Sequence, residues 1–294
     1  MPAHPSIFGR RQASKAAISR RAVLPVAAAL LIFAGTPAAR AAAFQTRVPY
    51  ALLIDANSGT VLFEKRADAP VAPESTTKIL TAEIVFREIA QGRLSLSTRM
   101  AISPRAAREG DAESGGSSMF AQANTQVSVD DLLRGMLILS GNDAAIALAE
   151  GIAGSESAFA ARMNEEARAL GLSHSHFVNA WGNGNPRQRV TARDMAHLAA
   201  YVIGTYPQFY HYFGETEFTW NGIRQENRNP LLAMNLGADG LKTGHLAASG
   251  YGLVGSAVQN GRRLIVVLYG ARTEAERANE GRRLLEFGFH GAAR

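Results

Sequence analysis

Strand-like segments lie near both ends of this chain, and helix-like segments lie between them. Apolar runs bounded by turn residues predict strands at 50–55, 61–65, 217–220, 240–243, 251–258 and 263–268. Asn57-Ser-Gly59 and Asn260-Gly261 provide hairpin turns for the first and last pairs. Helical periodicity and caps such as Ser128 and Thr273 predict helices at 75–93, 128–139, from 142, 157–170, 191–203 and 273–289. The pattern favours an α/β fold of the α+β type: an antiparallel sheet built from both chain ends, with flanking helices.

The first 43 residues have the composition of an export signal. Basic residues between Arg10 and Arg21 precede an uncharged run at 22–39, and small residues follow at Ala41-Ala-Ala43. These features predict a cleavable signal over residues 1–43, with a mature N-terminus near Ala42 or Phe44. Ser19-Arg-Arg-Ala-Val-Leu24 also resembles a twin-arginine signal. An uncleaved membrane anchor is the alternative, because the uncharged run is just long enough to span a bilayer.

Charge and cysteine content exclude several classes of function. The first 43 residues hold six of the 31 Lys and Arg residues and none of the 25 Asp and Glu residues, so the remainder is formally neutral. The basic pI belongs to the signal, and we therefore expect no nucleic-acid partner. Because the chain has no cysteine, neither a disulfide nor a catalytic thiol is available.

Three short motifs occur in a fixed order: Ser75-Thr-Thr-Lys78, Ser140-Gly-Asn142 and Lys242-Thr-Gly244. The chain has only four lysines, and two of the three beyond residue 43 lie in these motifs, whereas arginine fills nearly every other cationic position. A desolvated lysine can lose its proton, but an arginine in a protein cannot. Serine with lysine is a known form of activated nucleophile, so the motifs indicate acyl transfer.

Ser75 and Lys78 are the first candidates for this chemistry. At positions i and i+3 of a helix, their side chains share one face and reach each other. At a helix N-terminus, Ser75 would also have a free N–H and the positive end of the helix dipole, which both favour an oxyanion. The alternative is an N-cap serine followed by a solvated lysine, because Ser-x-x-Lys alone is a weak pattern.

The other two motifs are ambiguous when each is taken singly. Ser140-Gly-Asn142 interrupts an apolar stretch, where buried polar groups need partners, but Asn142 could instead cap the next helix. Lys242-Thr-Gly244 ends a predicted strand, whose edge can accept an extended peptide and whose glycine allows close approach. Lys242 could hold a carboxylate or polarise Ser140, or it could be a surface lysine before a turn.

As an ordered set, the motifs resemble those of class A β-lactamases and penicillin-binding proteins. The local sequence is most similar to the D-alanyl-D-alanine carboxypeptidases of serine peptidase family S11. The segments that carry this resemblance lie at 51–59, 116–120, 139–143, 218–229 and 239–245. Together the similarity covers essentially all of residues 44–290. It implies a β-lactamase/transpeptidase-like fold with an inserted helical subdomain, and a penicillin-binding D,D-peptidase domain over residues 44–294.

The resemblance also implies an activity, a place and partners. A member of this family would remove the terminal D-alanine from peptidoglycan stem peptides and would be acylated by β-lactams, with no cofactor or metal. D,D-endopeptidase activity is an alternative within the same family. The expected location is the periplasm or its extracytoplasmic equivalent.

Carried onto this sequence, the family's catalytic residues fall in the first two motifs. Ser75 resembles the acylated nucleophile, Lys78 its general base, and Ser140 the hydroxyl that relays a proton to the leaving group. The backbone N–H groups of Ser75 and His245 would form the oxyanion hole.

The family's substrate-binding residues fall mainly in the third motif. Lys242 and Thr243 would bind the terminal carboxylate, with support from Arg224. Gly244 follows them in the motif, and Asn142 would hold the substrate amide.

Two features depart from the family's pattern. The chain ends at Arg294, soon after the closing helix. We therefore expect neither the β-rich second domain nor the C-terminal amphipathic anchor of many members, and no stable membrane anchor after signal cleavage. The loop after Phe120 continues as Ala-Gln-Ala-Asn124, without a Pro-Gly pair, and residues 103–126 are the least regular part of the chain.

Rival functions require residues that the chain lacks or would not need. A β-lactamase would use a glutamate to activate the deacylating water, but no glutamate occurs between Glu166 and Glu215, and the helix holding Glu165 and Glu166 is predicted to turn both to solvent. A metallopeptidase would need ligands, yet His174-x-His176 is the one close histidine pair. A non-catalytic wall-binding protein would not need to keep a nucleophile and its base.

Overall fold

Strands and helices occupy separate blocks of the chain, as the sequence predicts. The computed structural model describes residues 44–110 and 116–291. Within them, the strands are β1 (Tyr50–Asp55), β2 (Val61–Lys65), β3 (Arg99–Ala101), β4 (Gln126–Ser128), β5 (Glu217–Trp220), β6 (Ile223–Glu226), β7 (Ala238–Leu246), β8 (Gly250–Gln259) and β9 (Arg262–Ala271). The α-helices are α1 (Lys78–Ala90), α2 (Pro104–Glu109), α3 (Val129–Leu137), α4 (Asn142–Ala153), α5 (Glu156–Ala169), α6 (Ala192–Thr205) and α7 (Glu274–Glu286).

Five strands form one antiparallel sheet in the order β2-β1-β9-β8-β7. β1 pairs with β9 along its whole length, from Tyr50 opposite Tyr269 to Asp55 opposite Leu264. The prediction of a sheet built from both ends of the chain is therefore confirmed. β7 lies at an edge of the sheet, so one side of its backbone faces away from the other strands.

The sheet is buried on both faces, because helices cover each of them. Successive side chains of a strand point to opposite faces. Leu52 accordingly packs into a core with residues of α1 and α3 to α6, whereas Leu53 packs on the other face with Leu284 and Leu285 of α7. The helices between β2 and β7 thus form one layer, and the closing helix forms the other.

Turns and caps form where the sequence predicts them. Asn260 and Gly261 have φ values of 50° and 76°, which a two-residue hairpin turn of this kind requires. Oγ of Ser128 accepts a hydrogen bond from N–H of Asp131 at 3.1 Å. Thr273 accepts one from N–H of Glu276 at 3.0 Å. Each cap satisfies a helical N–H that has no partner within its own helix.

The structure differs from the prediction where elements are short. The helix predicted from residue 75 begins instead with a 3₁₀ turn, Glu74–Thr77, and α1 starts at Lys78. The stretch at 103–126 includes α2, and β4 begins at its end and pairs with β3. β5 pairs with β6 in a separate hairpin and does not join the main sheet. β5 forms at the predicted residues 217–220, whereas β3, β4 and β6, of three or four residues each, show too little of a period to be predicted.

Several predictions concern residues that the structure does not describe. The export signal, its paired arginines and the boundary at residue 43 fall on residues 1–43, outside the described part. Residues 111–115 and 292–294 lie outside it as well. None of the helices formed by residues 44–110 and 116–291 combines the length and apolar character needed to cross a bilayer.

Candidate active site

Ser75 lies in the 3₁₀ turn Glu74–Thr77, which directly precedes α1, and it is half-buried. With three residues per turn, a 3₁₀ turn places residues i and i+3 directly above one another. Oγ of Ser75 accordingly lies 3.0 Å from Nζ of Lys78. The predicted contact forms through this tighter turn, and the helix that follows begins at Lys78 itself.

Lys78 is fully buried, which excludes the interpretation of a solvated lysine. Its Nζ lies 2.8 Å from Oδ1 of Asn142 and 3.0 Å from the carbonyl oxygen of Trp181, in addition to its contact with Ser75. All three partners are uncharged. Burial lowers the pKa of Lys78 well below its usual value, and the positive charge of Arg228 lowers it further, while Asp143 opposes the shift.

When Lys78 is neutral, its contacts leave one direction for its lone pair. A neutral amine has two N–H groups and one lone pair. The amide oxygen of Asn142 and the carbonyl oxygen of Trp181 can only accept, so they take the two N–H groups. The remaining position, toward Ser75, is then the lone pair. This geometry suits the amine to remove the proton of the Ser75 hydroxyl.

Ser140 and Asn142 occupy the turn between α3 and α4. Ser140 has a φ of 62° and is 3% exposed, and it lines the same pocket as Ser75. Asn142 begins α4, where its N–H donates to the carbonyl oxygen of Ser117 at 2.7 Å. Within the described residues its Nδ2 has no acceptor, so the amide group is available to a ligand.

Asp143 fixes the segment that forms the opposite wall of the pocket. Its carboxylate accepts hydrogen bonds from Oγ of Ser118 at 2.9 Å, from N–H of Met119 at 3.1 Å and from N–H of Ala121 at 3.0 Å. Burial raises the pKa of Asp143, while these donors oppose the shift. Ser117 and Ser140 are therefore held on one rigid unit.

The third motif lies in the middle of β7, not at its end, because this strand extends to Leu246. Lys242 is 2% exposed, and the described residues give its Nζ one hydrogen bond, to the carbonyl oxygen of Thr243 at 3.1 Å. Burial lowers the pKa of Lys242 well below its usual value, and the charges of Lys78, Arg228 and Arg277 lower it further. A carboxylate arriving beside Lys242 would favour the charged form of its amine.

One open pocket of about 210 Å³ joins these elements. Its lining residues are Ser75, Gly116, Ser117, Ser140, Arg228, Thr243, Gly244, His245, Glu274 and Arg277. The predicted residues Ser75, Ser140, Thr243, Gly244 and His245 thus come together. Lys78, Asn142 and Lys242 lie behind this surface as buried supports. The imidazole of His245 is exposed and stacks on Tyr251, with ring centroids 4.0 Å apart.

Two arginines that the sequence analysis missed line the pocket. Nη1 of Arg228 donates to Oγ of Ser117 at 2.5 Å. Arg277 is 5% exposed and projects from α7, with its guanidinium 5.6 Å from the ring centroid of Tyr251. A positive charge near a helix N-terminus is unfavourable, because the helix dipole is positive at that end. The position of Arg277 near the start of α7 was therefore the one signal in the sequence that this residue has a role outside its own helix. Arg228 lay in the segment 218–229, which the resemblance had singled out.

Arg224, which is predicted to support the carboxylate site, does not line the pocket. Arg224 lies on β6, opposite Thr219 of β5, and its exposed guanidinium forms an ion pair with Glu217. The hairpin holds it outside the pocket. Arg228 follows beyond the end of β6, where the chain turns toward Ser117.

The residues of the rival functions lie away from this pocket. Glu165 is exposed as predicted, but Glu166 is 6% exposed and forms an ion pair with Arg87, so the prediction that both face solvent is wrong for Glu166. Neither lines the pocket. Across residues 44–110 and 116–291, no three His, Cys, Asp or Glu side chains are grouped as a metal site would need.

The chain is similar to known proteins in both sequence and structure. The model of the D-alanyl-D-alanine carboxypeptidase family, peptidase S11, matches residues 37–273. The D-alanyl-D-alanine carboxypeptidase DacC of Escherichia coli (strain K12) is 45% identical over 240 residues, which is 81% of this chain and 60% of DacC. This chain therefore spans about three fifths of the length of such relatives.

Solved structures show the same fold. The crystal structure of the D-alanyl-D-alanine carboxypeptidase DacD from Francisella tularensis matches with a TM-score of 0.81 at 35% identity, over 84% of this chain and 71% of that one. Penicillin-binding protein D2 from Listeria monocytogenes, in its ampicillin-bound form, matches with a TM-score of 0.75 at 29% identity, over 84% and 98%. The predicted transpeptidase-like fold is confirmed.

Proposed function

The chain belongs to the D-alanyl-D-alanine carboxypeptidase family of peptidases, S11, and from this membership we propose that it removes the terminal D-alanine from peptidoglycan stem peptides. The reaction would pass through an ester of the peptide with Ser75. The observation that carries this proposal is the 3.0 Å contact between Nζ of the buried Lys78 and Oγ of Ser75, beside two oxygen atoms that can only accept from the amine.

Substrate binding would use the free edge of β7 and the cations around it. The terminal carboxylate of the peptide would lie against Thr243, Arg228 and Arg277, which line the pocket, with the buried charge of Lys242 behind them. Paired arginines bind a carboxylate through charge-assisted hydrogen bonds. The peptide backbone extends along β7, and Nδ2 of Asn142 donates to the carbonyl of the substrate amide.

Acylation begins when Lys78 takes the hydroxyl proton and Oγ of Ser75 attacks the carbonyl carbon of the penultimate D-alanine. The backbone N–H groups of Ser75 and His245 stabilise the negative oxygen that forms. The C–N bond then breaks, and the hydroxyl of Ser140 relays the proton that Lys78 took to the departing amine of D-alanine, which leaves Lys78 neutral again. The peptide remains as an ester on Ser75.

Deacylation completes the cycle. A water molecule attacks the ester carbonyl while Lys78 removes its proton, and Oγ of Ser75 leaves with that proton as a hydroxyl. Among the described residues that line the pocket, the one carboxylate is that of Glu274, on the α7 side and 3.9 Å from Arg277. The glutamates that a β-lactamase comparison would suggest, Glu165 and Glu166, lie elsewhere. A penicilloyl ester should therefore persist, which makes β-lactams covalent inhibitors.

The experiment is incubation of the mature protein with an acylated peptide that ends in D-Ala-D-Ala. We expect release of one D-alanine per peptide, no release from the D-Ala-L-Ala control, and no release by Ser75→Ala. Mass spectrometry of the penicillin-treated protein should find the adduct on Ser75. Stable penicillin labelling without release of D-alanine would overturn the peptidase proposal in favour of a binding protein, and rapid penicillin hydrolysis would favour a β-lactamase.

We also propose that the protein acts outside the cytoplasm. The signal-like residues 1–43 and the location of peptidoglycan support this placement. Mass spectrometry of the protein from an extracytoplasmic fraction should find a mature N-terminus near Ala42 or Phe44. A chain that retains Arg20 and Arg21 would contradict signal cleavage.

A further inference from the structure

The residue directly before the nucleophile, Glu74, has a buried carboxyl group. Glu74 is 1% exposed, and its φ of 54° lies in the left-handed region that residues other than glycine rarely adopt. Its Oε1 accepts a hydrogen bond from Oγ of Ser249 at 2.7 Å. Its Oε2 has no hydrogen-bond partner among the described residues. A strained backbone and an unpartnered buried oxygen both cost free energy. Because they occur next to the nucleophile, they indicate a functional role for Glu74.

The carboxyl group occupies space that two glycines leave open. Gly244 of β7 and Gly252 of β8 are opposite each other in the sheet. A Cβ atom on Gly244 would come within 2.6 Å of Oε2 of Glu74 and 3.2 Å of the backbone nitrogen of Ser75. A Cβ atom on Gly252 would come within 3.0 Å of the same oxygen. The carboxyl group therefore lies between the β7–β8 hairpin and the backbone of the nucleophile.

The backbone of Glu74 is held from the other side as well. A Cβ atom on Gly182 would come within 1.7 Å of the carbonyl oxygen of Glu74. Gly182 follows Trp181, whose own carbonyl accepts from Lys78. Glu74 is thus enclosed between the segment that orients Lys78 and the strand that carries His245.

We propose that Glu74 is a positioning residue for acyl transfer, whose side chain sets the backbone N–H of Ser75 in register with β7. This inference rests on the proposed function, which assigns the N–H groups of Ser75 and His245 to the oxyanion. Ser249, in the turn between β7 and β8, anchors the carboxyl group on the hairpin side. The anchoring makes the distance between the two N–H groups depend on a side chain that itself touches no substrate.

The charge of this carboxyl group matters because of where it lies. Burial raises the pKa of Glu74 to about 8, against the opposing effects of the Ser249 hydroxyl and the positive charge of Arg277; the N–H of Gly252 lies near the carboxyl group but forms no hydrogen bond with Oε2. The titratable groups that face it are Arg277 from α7 and the phenol of Tyr269 from β9. Below pH 8 the group is mainly a neutral acid. Above pH 8 it becomes an anion beside the developing oxyanion, which it would destabilise.

The test follows acylation by a fluorescent penicillin and release of D-alanine from pH 6 to pH 9.5. The variants are Glu74→Gln and Glu74→Ala, with Glu83→Gln as the matched control. Glu83 is another buried carboxyl with a raised pKa, of about 7, but it bonds Tyr206 in the core and does not line the pocket. Melting curves accompany each variant.

For the wild type we expect the acylation rate at pH 9 to be about a tenth of that at pH 7, as a required neutral group of pKa about 8 dictates. Glu74→Gln should keep most of the rate at pH 7 and lose the decline above pH 8. Glu74→Ala should lower kcat about tenfold at pH 7 with little change in KM and should also lose the decline above pH 8, and Glu83→Gln should follow the wild-type profile. If Glu74→Ala does not fold, the pH profile of Glu74→Gln decides.

Two results would overturn the inference. The first is an unchanged decline above pH 8 in Glu74→Gln, which would assign that decline to another group such as Lys242. The second is a folded Glu74→Ala variant with the wild-type rate. Failure of the proposed function looks different: the wild type would then form the penicillin adduct without releasing D-alanine, and the acylation profiles would still decide the role of Glu74.

Discussion

Lys78 and Lys242 are both buried near the same pocket, but the two regions around them differ in kind. Lys78, at the start of α1, has three neutral oxygen atoms around its amine, and two of them can only accept hydrogen bonds. Lys242, on β7, has one such bond and lies among the cations Arg228 and Arg277. Burial lowers the pKa of both amines. The partners therefore decide what each lysine can do: the helical side favours proton exchange, and the sheet side favours an arriving anion.

The largest effect should come from removing the lone pair on the helical side. Lys78→Arg keeps a cation but cannot accept a proton, so it should lower the acylation rate about as much as Lys78→Ala, roughly a thousandfold. Stopped-flow acylation by a fluorescent penicillin measures this, with circular dichroism as the control for folding. Near-normal acylation by Lys78→Arg would remove the distinction between the two lysines.

The next effect should come from the arginines on the sheet side. Arg277→Ala should raise KM for a peptide ending in D-Ala-D-Ala by about tenfold to a hundredfold, because a charge-assisted bond to the carboxylate is lost. Arg228→Ala should act in the same direction. Arg224→Ala is the matched control, since its guanidinium lies outside the pocket, and its KM should stay within twofold. A larger effect at Arg224 than at Arg228 would instead support the predicted role of Arg224 at the carboxylate site.

Lys242→Arg should be milder than Lys78→Arg. The guanidinium keeps the charge that the carboxylate needs, but it is larger than the buried amine it replaces, so we expect about a tenfold loss in kcat/KM. Steady-state release of D-alanine measures it. An inactive Lys242→Arg variant beside an active Lys78→Arg variant would exchange the two roles.

The smallest effect concerns stability on the helical side, at Glu83 of α1. Burial raises the pKa of Glu83 to about 7, while its usual value is near 4.5. As pH rises from 4.5 to 7, the unfolded chain loses this proton and the folded chain keeps it, so the folded state loses stability, and the cost is constant above pH 7. The stability advantage of Glu83→Gln over the wild type should therefore grow by on the order of 2 kcal/mol as the pH rises from 4.5 to 8. Urea unfolding at both pH values measures it, and no difference would mean that Glu83 titrates normally.

The longer elements could be predicted from the sequence because each carries its own local signal. β1 and β2 have the predicted bounds, and the turn at Asn260-Gly261 and the caps at Ser128 and Thr273 form as expected. Short elements such as β6 could not be predicted, because contacts with other segments stabilise them more than their own few residues do.

The site was predictable only where a motif marked it. The three motifs converge on one pocket, since each has residues at or behind its surface. Arg277 was missed because it reaches the pocket from a helix near the end of the chain, and nothing in the local sequence relates it to Ser75. Glu74 was missed for a similar reason: its burial depends on Gly244 and Gly252, two glycines on distant strands.

The pairing of β1 with β9 also determines at which stage of synthesis and folding this chain can become reactive. Ser75 is synthesised early, but the sheet behind it closes only after β9 and α7 have left the ribosome. Pairing between segments so far apart in sequence is slow, and until it happens the apolar side chains of β1 remain uncovered and prone to aggregation. A half-made chain thus contains the serine without the strand and arginines that would direct a peptide to it. Ser75 therefore becomes reactive only when the sheet and α7 are in place, at the end of folding.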